Sequence, residues 1–81
     1  MQVKVTNSWW LDDITFTVVF QIGEYTVLCE HWLDEECFKH LWWSDEGDNE
    51  LTIKEEDFKE KCNMSFKELD EKILEEEKKR S

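Results

Sequence analysis

Between Ile14 and His31 the chain alternates apolar and polar residues with a single interruption. This run limits the fold more than any other stretch. Ile14, Phe16, Val18, Phe20 and Ile22 recur at period two, and after Gly23-Glu24 the alternation resumes as Tyr25, Val27, Cys29 and His31. Period two marks a half-buried strand, because successive side chains of a strand point to opposite faces. Placing Gly23 and Glu24 in a two-residue hairpin turn sets Ile22 opposite Tyr25, Phe20 opposite Val27, Val18 opposite Cys29 and Phe16 opposite His31. All eight side chains then share one face. A slip of one residue would scatter them, so the pattern and the turn support each other. The other face, Thr15, Thr17, Val19, Gln21, Thr26, Leu28, Glu30 and Trp32, is mixed in character. Solvent or a partner can cover it.

The flanking segments are read in the same way. Residues 2–6 alternate through Val3 and Val5 and form a short edge strand, while Asn7 to Asp13, with Trp9, Trp10 and Leu11, read as a loop. Asp34 has the position of a helix N-cap, followed by Glu35 and Glu36 where a helix dipole favours acids. Leu33 and Phe38 fit a hydrophobic staple, and Cys37, Phe38, Leu41 and Trp42 fall at helical spacing. Residues 44–50 form an acidic turn around Gly47. Leu51 and Ile53 suit a brief fourth strand, and Thr52 with Glu55 suits a capping box equally well. A helix over 55–62 spaces Phe58 and Cys62 four apart and ends at Asn63. Ser65 with Glu68 forms another capping box, and Met64 with Leu69 another staple. The last helix, 66–79, carries Phe66, Leu69, Ile73 and Leu74 as a narrow apolar stripe, with Glu68/Lys72, Glu75/Lys79 and Glu76/Arg80 as i,i+4 pairs. The reading is one α+β domain over residues 1–81, frayed over 76–81. It has a small antiparallel sheet of three, or with Leu51–Ile53 four, strands and two to three helices packed on one face.

Charge limits the partners. The 81 residues hold 10 Lys and Arg against 21 Asp and Glu, a net of -11. Direct nucleic-acid binding needs a basic footprint, and an electrostatic membrane anchor needs one too. No apolar run reaches the roughly 18 residues of a membrane span. The N-terminus lacks the layout of a signal peptide, and three cysteines, Cys29, Cys37 and Cys62, read as reduced thiols. The expected compartment is the cytoplasm, that of the host cell if the chain is phage-encoded.

The acids are uneven. Residues 24–57 hold twelve, opposed only by Lys39 and Lys54, whereas the last helix interleaves its acids with bases. Solubility explains such an excess. So does a surface built to meet a basic partner, since carboxylates about 5–6 Å apart on a helix or about 6.6 Å apart on a strand match the scale of a phosphate backbone. The candidate partner-binding residues are Asp34, Glu35, Glu36, Asp45, Glu46, Asp48, Glu50, Glu55, Glu56 and Asp57, with Trp43 as aromatic anchor. The adjacent pairs Trp9-Trp10 and Trp42-Trp43 should each bury one member more than the other. Cys29-x-His31 and Cys37-x-x-His40 offer four zinc-ligand types, each pair sharing one face, but their spacing fits no known signature. The thiols also suit apolar stripes, and His31 suits a partly buried rim opposite Phe16. No phosphate loop, metalloprotease motif or nucleophile elbow is present, so no catalytic residue, metal or cofactor is assigned.

In size and composition the chain is similar to the small acidic inhibitors that bacteriophages and plasmids encode against host nucleases. Anti-restriction proteins, anti-CRISPR proteins and uracil-glycosylase inhibitors are of this kind. The similarity implies a non-enzymatic inhibitor that blocks a basic nucleic-acid channel. A generic interaction or regulatory module using a Trp-rich face, and a small zinc-stabilised module, are the alternatives. Self-association through the edge strand or the mixed sheet face is also open.

Overall fold

The computed structural model describes residues 2–43 and 50–80, with the backbone alone for Trp43 and Glu50. Five strands follow one another as an antiparallel meander: β1 Val3–Trp10, β2 Thr15–Ile22, β3 Tyr25–Trp32, β4 Cys37–Trp43 and β5 Glu50–Thr52. Two helices follow, α1 Glu55–Cys62 and α2 Phe66–Arg80. The fold is α+β, with more strands than the sequence pattern suggested and the lower of its two helix counts.

The central hairpin has the register that the alternation required. Ile22 pairs with Tyr25, Phe20 with Val27, Val18 with Cys29 and Phe16 with His31. Gly23 has φ 61°, which a two-residue hairpin turn demands and a Cβ would penalise. Phe16, Val18, Phe20, Ile22, Val27 and Cys29 are fully buried, and with Phe58, Leu69 and Ile73 of the helices they form one core. Both helices therefore lie on one face of the sheet. Asn63 closes α1 in the left-handed region, its N–H donating to the Lys59 carbonyl at 2.9 Å. Ser65 Oγ accepts from the Glu68 N–H at 3.4 Å, and Met64 and Leu69 are buried beside it.

Three local readings are corrected. The helix expected after Asp34 is strand β4, and Leu33–Glu36 is the turn that leads into it. Phe38, His40 and Trp42 alternate toward the helices, and Phe38 stacks on His31 with centroids 4.4 Å apart. Spacing of one and four residues fits a helix locally. Here the open edge of β3 needed a hydrogen-bonding partner, and aromatic, poorly helix-forming residues supplied it. The turn is closed by Glu36 at φ 48°, a conformation that costs a residue with a Cβ about 1–2 kcal/mol. The second correction concerns β1, which runs on through Trp9 and Trp10 where a loop was expected. Its register shifts between Val5 and Asn7, a bulge that interrupts the alternation. Val3 and Val5, then Ser8 and Trp10, fall on the helix side, while Trp9 falls on the other. Third, Glu50–Thr52 is a strand and the cap of α1 is Lys54, which makes no side-chain capping bond. The capping box at Thr52 is therefore not formed.

Helix α2 continues to Arg80, through the stretch read as a frayed end. There Glu77 Oε2 lies 2.6 Å from His31 Nδ1, and Arg80 Nε donates to Ser8 Oγ at 3.0 Å. Among the described residues no helix is long and apolar enough to cross a membrane.

Candidate functional site

In a meander, alternate turns lie at the same end of the sheet. The β1–β2 connection, residues 11–14, and the β3–β4 turn, residues 33–36, are therefore neighbours, and Gly23-Glu24 is at the opposite end. The two neighbouring loops are joined directly, with Leu33 N–H donating to the Ile14 carbonyl at 2.8 Å. Within the first loop, Leu11 N–H donates to the Thr15 carbonyl and Ile14 N–H to Asp12 Oδ1, both at 2.9 Å. Asx-type bonds of this sort hold a turn in one shape.

Two kinds of side chain meet at this tip. Asp12, Asp13, Asp34, Glu35 and Glu36 are all exposed, and neither loop contains Lys or Arg. Trp10, Leu11 and Ile14 are 36%, 60% and 44% exposed, three of the five large exposed apolar residues among those described. Apolar surface rimmed by charge is the composition of a contact site. The sequence signal was present in part. Ile14 is the first residue of the period-two stripe and is left exposed, whereas Phe16, Val18, Phe20 and Ile22 are buried. Asp12 and Asp13 lie outside the 24–57 segment, and only the meander brings them beside Asp34.

The other predicted residues are not assembled there. Glu50 is on β5, paired through its backbone with Trp43 at the far end of β4. Glu55, Glu56 and Asp57 occupy the exposed first turn of α1, where the helix dipole favours acids. Glu55 also pairs with Lys59 at 3.4 Å. Asp45, Glu46 and Asp48 lie outside the described residues, as does the side chain of Trp43. The charge excess of 24–57 is thus divided among several places. Of the first Trp pair, Trp9 is half-buried and Trp10 more exposed.

The Cys and His residues also separate. Cys29, His31 and His40 are on the helix-facing side, whereas Cys37 is on the opposite face. The shared helix face expected for Cys37 and His40 therefore does not exist. Among the described residues no three His, Cys, Asp or Glu side chains gather as metal ligands. Each histidine instead meets a carboxylate of α2, His31 as above and His40 Nε2 with Asp70 Oδ1 at 2.8 Å. An ionised carboxylate only accepts, so the imidazole N–H is the donor in both. His40 also stacks on Phe66 at 4.0 Å. These pairs fasten α2 to the sheet.

The thiols are not activated. Burial pushes Cys29 well above the usual thiol range and raises Cys62 as well. Cys37 is raised by desolvation and then by Glu35, whose Oε2 accepts from Sγ at 3.7 Å. Thiolate chemistry needs the reverse shift. Compared with protein families, curated proteins and solved structures, the chain has no match.

Proposed function

We propose that this chain is a small non-enzymatic binding protein whose tip engages a basic, nucleic-acid-binding surface of another protein. In its most concrete form it is an inhibitor that occupies the nucleic-acid channel of a host nuclease complex. The supporting observation is the tip itself: five exposed carboxylates with Leu11 and Ile14 on two loops pinned together by the Leu33–Ile14 hydrogen bond, and Trp10 exposed at the adjoining end of β1. The carboxylates steer the encounter and the apolar centre supplies contact area. Pinning the loops lowers the ordering cost of binding.

The test uses the purified chain as bait in host extract, followed by the recovered partner in isolation. The partner should be a nucleic-acid-binding protein that duplex DNA or RNA competes away, with affinity falling as salt rises. Reversing Asp13, Asp34 and Glu36 to Lys, which spares the Asp12 and Glu35 side-chain hydrogen bonds, should abolish binding and leave the melting curve intact. Reversing Glu55, Glu56 and Asp57 should have a small effect. Full affinity in the tip variant, or salt-independent binding, overturns the proposal.

A further inference from the structure

One face of the sheet carries the helices. The other carries no described element, yet it is not a solvated face. Trp9, Thr17, Leu28, Trp32 and Leu41 lie on it by alternation, with Leu28 only 5% and Thr17 only 2% exposed. Among the described residues the two buried side-chain polar atoms without a hydrogen bond, Thr17 Oγ1 and Trp32 Nε1, are both here. Lys39 Nζ sits 3.5 Å from the centre of the Trp32 ring. A protein with a net charge of -11 has here opposed Glu30 directly to Lys39 across β3 and β4, so the middle of the face is neutral. This face does not suit a basic partner.

One row across the sheet is informative. Trp9 pairs with Thr17, Thr17 with Glu30, and Glu30 with Lys39. A twofold axis lying between two stacked sheets, parallel to the strands and midway between β2 and β3, reverses the row. It sets Lys39 of one copy over Trp9 of the other, twice, and Glu30 over Thr17. Cation over indole is a favourable pairing, and an isologous contact needs this kind of self-complementary pattern. The four overlapping strands have 8, 8, 8 and 7 residues. At about 3.3 Å per residue and 4.8 Å per strand they cover about 500 Å² per copy. The two faces together span about 1,000 Å², the size at which a proposed interface begins to qualify.

We infer that this face, on which no described element packs, is the contact between two copies of this chain, packed sheet against sheet as a sandwich dimer. Sedimentation or light scattering from low micromolar to millimolar concentration should pass from the 9.9 kDa chain mass to twice that value. Added salt should strengthen the dimer, because it screens the repulsion between two acidic copies, the opposite of its effect on the tip. Lys39→Glu removes both intermolecular cation–indole contacts, together with the contact Lys39 makes on Trp32 of its own chain, and should raise the dimer dissociation constant about tenfold or more. Trp9→Arg should do the same, since it meets Lys39. Mixing the two variants should restore dimers, with one Glu–Arg contact and one native Lys–Trp contact in each. Each variant is first checked by its melting curve, and if Trp9→Arg does not fold, Lys39→Glu alone decides. A chain that stays monomeric throughout overturns the inference. So does a dimer indifferent to Lys39→Glu, or a mixture of two folded variants that does not associate. Tip reversals should leave the dimer in place, so the two proposals fail separately.

Discussion

The two faces of the sheet come from the same strands but are finished differently. On the helix side, the aromatic and aliphatic side chains of β2 and β3 are sealed by Phe58, Leu69 and Ile73. The polar groups at the edge of that layer, His31 and His40, each have a carboxylate from α2. On the other side, Thr17 and Leu28 are also buried, and among the described residues two buried polar atoms go without partners. The first face is complete within one chain. The second has the composition of an interior, and among the described residues no second layer lies on it. Burial alone therefore does not distinguish a finished surface from an unfinished one, whereas hydrogen-bond satisfaction does.

The largest way to break this contrast is at the core. Phe58 is fully buried, with ring centroids 5.3 Å from Phe66 and 6.1 Å from Trp42. Phe58→Ala should cost about 3–5 kcal/mol, a large share of the stability of a domain this small, read from the urea midpoint. A smaller effect is expected at the fastening of α2. Asp70→Ala strands the His40 N–H in a buried site and should cost about 1–3 kcal/mol. Asp70→Asn keeps an acceptor oxygen and should cost less. Equal losses in the two variants would show that charge, and not the hydrogen bond, holds the helix. The smallest effect, opposite in sign, belongs to the face on which no described element packs. Thr17→Val removes an unpartnered hydroxyl at nearly constant shape and should stabilise by about 1 kcal/mol. A lower midpoint in that variant would mean the hydroxyl is satisfied and the face more finished than its geometry indicates.

Legibility followed the range of the interactions. The β2–β3 hairpin was readable because its register, its turn and its burial all depend on residues close in sequence, and the period-two stripe admits one solution. The α1–α2 junction was readable for a similar reason, since Asn63, Ser65 and Glu68 act within one turn of chain. Strand β4 was not. Asp34, Glu35 and Phe38 satisfy every local rule for a helix start, and only the unpaired edge of β3 favours a strand there. The extension of β1 was hidden by a bulge, which destroys the alternation that would have announced it.

The candidate site shows the same division. Sequence by itself determined that the chain is strongly acidic, that its core is built on the 14–31 hairpin, and that Asp34, Glu35 and Glu36 are charged and exposed. It grouped those three with Trp43, Asp45, Glu46, Asp48, Glu50 and Glu55–Asp57. The tertiary structure instead joined them to Asp12, Asp13, Trp10, Leu11 and Ile14, about twenty residues earlier. It also decided which face of the sheet the helices cover. The physical reason is topological: an antiparallel meander brings alternate turns to the same end, and no local propensity encodes that neighbourhood. Charge and periodicity are properties of segments. A tip built around two loops, and a sheet face on which no described element packs, exist only after the strands have paired.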